Sequence, residues 1–155
     1  MAIRTAQLTD APTIARLHQQ LISELAQLNP TMFKPLGEPD LQAVAKYIVG
    51  DSATAFVHDV QPVDAFATVT TATTGAGPGI IPHRFAYLVD IYVAPTARRH
   101  GVASALLAAV QTWATAAHLD FVQLNVAATN EAARALYQHL GYTPQYTTLQ
   151  LPLNH

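Results

Sequence analysis

Residues 93–107 read V-A-P-T-A-R-R-H-G-V-A-S-A-L-L, and this stretch decides the fold. An apolar, strand-like run over 87–93 ends at Pro95, passes two arginines and the lone Gly101, and opens into an Ala/Leu-rich helical pattern. A strand, a loop and a helix start in this order direct several backbone N–H groups and the positive end of the helix dipole at one point. The stretch therefore predicts a loop that holds a phosphorylated cofactor.

The composition narrows the class of protein. A chain of 155 residues, 50% of them hydrophobic, suffices for one well-buried core, and we expect a single domain over residues 1–155. The formal net charge of −2 argues against a nucleic-acid or membrane partner, since both need a basic surface. The absence of cysteine excludes disulfides, thiolate zinc sites and a cysteine nucleophile. No run reaches the roughly 18 apolar residues of a membrane span, so we expect a cytoplasmic protein.

The hydrophobic pattern predicts alternating helices and strands with no repeat or linker. Helices are predicted between Asp10 and Asn29 and over 40–49, 101–117 and 131–140. Strands are predicted over 2–8, 54–60, 65–73, 85–93, 121–126 and 146–153. The second and third strands follow each other through Gln61-Pro62 without a helix, which predicts a hairpin and counts against a doubly wound nucleotide-binding sheet.

A second informative block, residues 130–142, reads N-E-A-A-R-A-L-Y-Q-H-L-G-Y. It has Asn130 at its start and Tyr137 four residues before Gly141. Either block alone is weak evidence of function. Together, and with this order of elements, they resemble the GCN5-related N-acetyltransferase (GNAT) family along essentially the whole chain. Residues 98–103 match that family's acyl-CoA pyrophosphate loop, Arg/Gln-x-x-Gly-x-Gly/Ala.

The resemblance implies an α/β fold with a mostly antiparallel mixed sheet, splayed at its centre, and helices on both faces. It implies transfer of an acetyl group from acetyl-CoA to an amine by direct attack, without a covalent enzyme intermediate. The acceptor stays open between small-molecule and peptide amines, and a homodimer is possible because the family often dimerises. The alternative function is a non-catalytic acyl-CoA-binding or regulatory module, which would keep the phosphate loop but lack a productive acid.

The phosphate loop also has a physical argument of its own. Gly101 and Ala103 leave room for a ligand to approach the backbone, and the N–H groups of residues 99–104 are unpaired at a helix start. The residues predicted to contact the cofactor in this loop are Arg98, Arg99, His100, Gly101, Val102, Ala103 and Ser104. The family commonly has glycine at the position of Arg99, so we expect a less open loop here. An ordinary strand–loop–helix turn with solvated arginines is the alternative.

The resemblance extends cofactor binding to the preceding strand. In the family this strand splays from its neighbour at a bulge and pairs its backbone with the pantetheine arm, and Ile91, Tyr92 and Val93 occupy that position. A plain central strand is the alternative, which the sequence alone does not exclude. Asn130 is predicted to cap its helix, to contact the cofactor, or to do both.

Tyr137 is the candidate general acid, because a positioned phenol can protonate the departing thiolate. A core tyrosine with its hydroxyl at the surface is the alternative. An ammonium substrate also needs a proton acceptor, since its pKa lies near roughly 10.4. Asp90 is the candidate base, with Glu24, Glu38 or a water chain as alternatives, and with a purely orienting role for Asp90 also open.

The residues that bind the acceptor are predicted less specifically than those that bind the cofactor. The family binds its acceptor with the first two helices, their loop and the last strands, which offer Met32, Phe33, Tyr47, Tyr142 and Tyr146. This set favours a partly hydrophobic amine over a polycation. The seven histidines are scattered without a helical i, i+4 pair beside a glutamate, so no metal site is predicted, and solvated positions are expected for His100 and His139.

Overall fold

The computed structural model describes residues Met1–His155, which form two compact units, Met1–Asn125 and Val126–His155. The first unit contains a five-stranded sheet in the order β1-β2-β3-β4-β5. Its strands are β1 (Ile3–Thr5), β2 (Ala53–His58), β3 (Ala65–Thr73), β4 (Arg84–Val93) and β5 (Val122–Gln123). The first four pair antiparallel and β5 pairs parallel to β4, which confirms the predicted mixed sheet.

Helices cover both faces of this sheet, as predicted. The helices of the first unit are α1 (Ala11–Leu28), α2 (Leu41–Val49) and α3 (Val102–Ala116). α1 and α2 bury Ile14, Leu17 and Val44 against Val57 and Phe66 of the sheet. α3 contacts β2, β3 and β4 but contributes nothing to that cluster, so its buried leucines lie against the other face. No helix combines the length and the apolar character that crossing a membrane requires.

Local chemistry explains where the helices begin. α1 follows Asp10, whose carboxylate accepts hydrogen bonds from the Arg4 guanidinium at 2.8 and 2.9 Å and from the Gln7 N–H at 2.8 Å. α2 begins after Asp40, whose side chain accepts from the Ala43 N–H at 3.1 Å. The Asp40 carboxylate satisfies an N–H group that the start of α2 leaves unpaired, whereas Asp10 caps the 3₁₀ turn Leu8–Asp10 that leads directly into α1. The sequence pattern therefore located both starts correctly.

β4 is paired along its length on one side and only briefly on the other. β3 pairs with β4 from end to end, whereas β5 pairs only with Ala86 and Tyr87. The C-terminal half of β4 therefore has an open edge, which is the predicted splay. A register shift places Thr68 opposite Asp90 and Val69 opposite Leu88, so that Val89 has no partner and forms a β-bulge.

The prediction of a closing strand over 146–153 is wrong. Residues 143–155 contain no helix or strand and make no backbone–backbone hydrogen bond. Leu149, Leu151 and Leu153 alternate as strand residues do, yet they are 87%, 84% and 71% exposed. An alternating pattern produces a strand only when a neighbouring strand supplies hydrogen bonds, and a chain pattern does not reveal that neighbour. The strand predicted over 121–126 is likewise reduced to β5.

Candidate functional site

The loop between β4 and α3 exposes a run of unpaired backbone donors. Gly101 has φ +79° and Arg99 has φ +67°, both in the left-handed region. The backbone N–H groups of residues 99–104 have no acceptor in the protein. A Cβ at Gly101 would contact nothing within 4 Å, so its φ rather than crowding favours glycine there. An anion placed before α3 would meet these N–H groups and the positive end of the helix.

Arg98 fastens this loop to α1. Its guanidinium donates to both carboxylate oxygens of Glu24 at 2.9 and 3.0 Å, and its Nε donates to the Val93 carbonyl at 2.8 Å. The hydroxyl of Tyr92 donates to Glu24 at 3.1 Å, and the Arg98 guanidinium lies 5.5 Å from the centre of the Tyr92 ring. The charge of Arg98 is therefore neutralised within the protein. Arg99 and His100 have exposed side chains, as expected for His100.

The open edge of β4 presents the backbone of two of the three predicted strand residues. Ala94 donates its N–H to the Asp64 carbonyl on the β3 side at 2.8 Å. Because hydrogen-bonding direction alternates along an antiparallel strand, Tyr92 also faces β3, while Ile91 and Val93 direct their N–H and C=O groups to the open edge. The bond from Arg98 to the Val93 carbonyl agrees with this alternation. Tyr92 instead buries its side chain against α1.

The bulge at Val89 turns Asp90 toward α1 and α2. Leu88 lies opposite Val69 and Asp90 lies opposite Thr68, so the two β4 residues point to different faces although they are two positions apart. The Asp90 carboxylate lies 3.7 Å from His18 Nε2, in a cavity of about 80 Å³. Burial raises the pKa of Asp90, and the nearby His18 partly opposes that rise.

Tyr137 and Asn130 belong to the second unit. Its helix α4 (Glu131–His139) begins after Asn130, whose side chain accepts from the Ala133 N–H at 3.2 Å, as the capping prediction requires. The Tyr137 ring meets the Tyr142 ring edge-on, with centroids 5.7 Å apart. Burial, with a smaller contribution from Tyr142, raises the pKa of Tyr137. Its phenol therefore remains protonated at neutral pH, as a proton donor must.

The remaining candidates are dispersed. Met32 and Phe33 are exposed in the α1–α2 connection, and Tyr146 is exposed in the segment 143–155. Tyr47 lines the cavity beside Asp90. Among the alternative bases, Glu24 is paired with Arg98, whereas Glu38 is exposed and has no ion pair.

Sequence reasoning missed His18 and Thr68, which also line the cavity. His18 is one helical turn from Ile14 and from Leu21 or Ile22, in the apolar stripe of α1. A histidine within an apolar stripe is unusual, and this pattern could have identified His18 from the sequence. A larger cleft of about 500 Å³ lies at the opposite end of β4, beside Arg84. Its His83–Asp120 pair, 2.8 Å apart, is 41% and 49% exposed, so it is more open to solvent than the His18–Asp90 pair.

Comparisons with known proteins agree with this geometry. The model of the "Acetyltransferase (GNAT) family" matches residues 25–142. The structure of a mutant BH1408 protein from Bacillus halodurans has a TM-score of 0.92 and 25% identity, covering 99% of this chain and 100% of that one. The aminoglycoside N-acetyltransferase AAC(6')-Iy, in complex with CoA, has a TM-score of 0.74 and 19% identity, covering 99% and 100%.

A transcriptional regulator from Bacillus halodurans C-125 also has this fold, with a TM-score of 0.72 and 16% identity, covering 98% of this chain and 99% of that one. No curated protein sequence matches the chain. The family match covers well over half of the 155 residues, and the fold agrees over nearly all of them. The resemblance inferred from two short blocks is confirmed, and the chain belongs to the GNAT family of acetyltransferases.

Proposed function

We propose that the protein transfers the acetyl group of acetyl-CoA to a primary amine by direct attack. The observation that carries this proposal is the run of unpaired backbone N–H groups over residues 99–104 at the start of α3. AAC(6')-Iy, a neighbour in fold, is described in complex with CoA. That description supports an acyl-CoA as the donor substrate.

In this proposal the pyrophosphate of acetyl-CoA binds before α3. The backbone N–H groups from Arg99 to Ser104 donate to its oxygens, and the dipole of the 15-residue helix adds a favourable potential. Val102 contributes only its backbone because its side chain is buried, whereas Ser104 adds a hydroxyl. Arg98 acts by holding the loop against α1, and the exposed side chains of Arg99 and His100 add further N–H donors beside the loop.

The pantetheine arm lies along the open edge of β4. Ile91 and Val93 present backbone groups there that another strand would otherwise pair, so the amides of the arm take that place. Such pairing would bring the thioester toward the bulge. A backbone N–H at that point donates to the carbonyl oxygen, where negative charge develops during attack.

The proposed chemistry needs one base and one acid. Asp90 accepts a proton from the ammonium, and the neutral nitrogen attacks the thioester carbonyl carbon. The new C–N bond forms, the C–S bond breaks, and the Tyr137 phenol gives its proton to the departing thiolate. The second proton of the nitrogen restores the phenol and Asp90 releases the first to solvent. The products are an N-acetyl amide, CoA and one proton.

We propose a small-molecule amine as the acceptor. An aminoglycoside acetyltransferase of the same fold is described in complex with sisomicin. The exposed Met32 and Phe33 favour a partly hydrophobic acceptor over a polycation. Peptide amines belong in the same assay panel as the competing class.

We also propose that two copies associate through residues 146–153. Tyr146, Leu149, Leu151 and Leu153 form an exposed apolar stretch, which in a monomer is unfavourable in water. Residues 143–155 contain no Asp, Glu, Lys or Arg, so two copies can pair about a two-fold axis without repulsion between such charges.

Thermal unfolding with and without acetyl-CoA tests donor binding. A ligand at 100 times its Kd adds about 2.7 kcal/mol to folded-state stability, which raises Tm clearly. Gly101→Glu should abolish that shift, because it adds bulk and negative charge at the pyrophosphate position. Gly79→Glu is the matched control, because it adds the same charge at another exposed glycine with a φ of +78°, in the connection before β4, and it should retain the shift. The absence of a shift in the parent would contradict the proposal.

Tyr137→Phe then separates catalysis from binding. It should retain the acetyl-CoA shift and lower kcat on an amine panel by about 10²- to 10⁴-fold. A regulatory acyl-CoA-binding module, the alternative that the transcriptional-regulator neighbour suggests, would show the shift in both proteins and transfer to no amine in either.

A further inference from the structure

A small, partly open cavity lies between α1, α2 and the centre of the sheet. Its volume is about 80 Å³, and its polar lining includes His18, Thr68 and Asp90. Val44, Tyr47 and Phe66 supply much of its apolar wall. The polar groups therefore lie together at one side of a narrow and otherwise apolar space.

Two polar atoms of this lining have no partner. Thr68 Oγ1 and His18 Nδ1 are the only buried side-chain nitrogen or oxygen atoms of the protein that make no hydrogen bond. Thr68 is only 2% exposed, so its hydroxyl gives up water without compensation and destabilises the folded state. Both orphaned atoms belong to residues that line this one cavity, so a group bound in the cavity is the candidate partner for them.

The charges select the chemistry of that group. Asp90 carries the acidic group of the lining, and His18 Nε2 lies 3.7 Å from it, beyond hydrogen-bond distance. Lys46 and Tyr47 of α2 are the other titratable groups at the cavity. Lys46 is cationic like the proposed ligand, but it makes no ion pair with Asp90, and its Nζ lies 5.4 Å from the centre of the Tyr47 ring. An ammonium group has three N–H donors and no acceptor. The carboxylate of Asp90, the hydroxyl of Thr68 and a neutral imidazole of His18 can accept those donors.

The size of the cavity limits how many carbon atoms next to the ammonium group can enter with it. One liquid water occupies about 30 Å³, so a space of about 80 Å³ holds an ammonium and one or two methylene groups. The apolar side chains of Val44 and Phe66 suit methylenes. Val44 and Phe66 are 4% and 1% exposed, so these packed walls do not move aside for a second alkyl branch on the carbon beside the nitrogen.

We propose that this cavity receives the unbranched end of the acceptor, R–CH₂–NH₃⁺, with His18 and Thr68 as residues that determine amine specificity. The inference rests on the proposed amine acetylation, and it narrows the acceptor class to amines on an unbranched carbon. n-Butylamine and its isomer sec-butylamine are the probes, because they differ only in branching next to the nitrogen.

Binding is measured first without acetyl-CoA, by NMR of the His18 ring. Titration with n-butylamine should shift the His18 signals, while sec-butylamine at the same concentration should leave them in place. Equal responses to the two isomers, or no response to either, would overturn the proposal. Because no acetyl transfer is involved, a response to n-butylamine in a protein that acetylates no amine would contradict only the proposed function.

Thr68→Val separates a binding role from a structural one. Removing the orphaned hydroxyl should raise Tm and also raise the KM for n-butylamine by about tenfold or more, with the KM for acetyl-CoA unchanged. Thr70→Val is the matched control, since the Thr70 hydroxyl donates to the Ser52 carbonyl at 3.3 Å outside the cavity. It should leave the KM for n-butylamine unchanged. A Thr68→Val protein that keeps the parental KM for n-butylamine would contradict the inference.

Discussion

Arg99 adopts a backbone conformation that glycine reaches more easily. Its φ of +67° lies in the left-handed region, where a side chain costs about 1–2 kcal/mol. The family to which the chain is similar in this loop commonly has glycine at this position. Arg99, where the family commonly has glycine, therefore lowers the stability of the phosphate loop.

Arg99→Gly should raise the free energy of unfolding by about 0.5 kcal/mol, because relief of the left-handed strain outweighs the flexibility that glycine adds to the unfolded chain. Urea unfolding measures the change. His100→Gly is the adjacent control, since His100 does not have a positive φ, and it should lower stability. A loss of stability in Arg99→Gly equal to that of the control would contradict the argument.

Residues whose role comes from the backbone were the easiest to predict. Gly101 and the N–H groups of residues 99–104 follow from a local pattern of strand, glycine and helix. The pairing of Arg98 with Glu24 joins positions 74 residues apart, and no local pattern carries that information. His18 shows the same limit, because its partner Asp90 becomes visible only when α1 lies over β4.

At the scale of elements, helices were predicted better than strands. α2 and α4 have local start signals in Asp40 and Asn130, and both caps are present in the structure. β5 and the segment 146–153 depend on neighbours that local sequence does not specify. The bulge at Val89 was expected only by resemblance and nearer Ile91, and its effect on the direction of Asp90 follows from register alone.

The contact between β1 and the start of α1 makes stability depend on acidity. Arg4 holds the pKa of Asp10 below its ordinary value through paired hydrogen bonds. A carboxyl with a lowered folded-state pKa stabilises the fold above its unfolded pKa, and that contribution is lost as pH falls through the folded value. The relevant window therefore lies below about pH 4.

Asp10→Asn should lower the free energy of unfolding by about 1.5–3 kcal/mol at pH 7, because a charged hydrogen-bonded pair is lost. The difference from the parent should shrink as pH falls below about 4. Urea unfolding between neutral and acidic pH measures both effects. Asp59→Asn, which removes the more exposed partner of Arg4, should cost less than about 1 kcal/mol. A difference independent of pH would exclude the ionised pair as its cause.

At the scale of the whole molecule, the second unit is the part that lacks a core. No residue of Val126–His155 is fully buried, and Tyr146 is 96% exposed. The order of elements and the family were predictable because they follow from the two sequence blocks. The exposed state of residues 146–153 was not predictable, because alternating leucines indicate a strand whether or not a neighbouring strand is present.

Sedimentation analysis should show the parent with twice the mass of one chain, through the proposed association of residues 146–153. Replacing Leu149, Leu151 and Leu153 together by serine should yield the mass of a single chain, because the apolar contact is lost. Leu28→Ser, at another exposed leucine, should leave the dimer intact. A parent that sediments as one chain would contradict the association.

The unpaired amides at residues 99–104 also determine how this loop responds to random mutation. Every residue except proline carries a backbone N–H, so exchange of the exposed side chains at Arg99 or His100 leaves the donors in place. An alanine scan would therefore rate most of this loop as dispensable, with Gly101 the exception because of its φ. Proline removes a backbone N–H without adding charge. A proline scan is therefore the experiment that would show the role of this loop in binding.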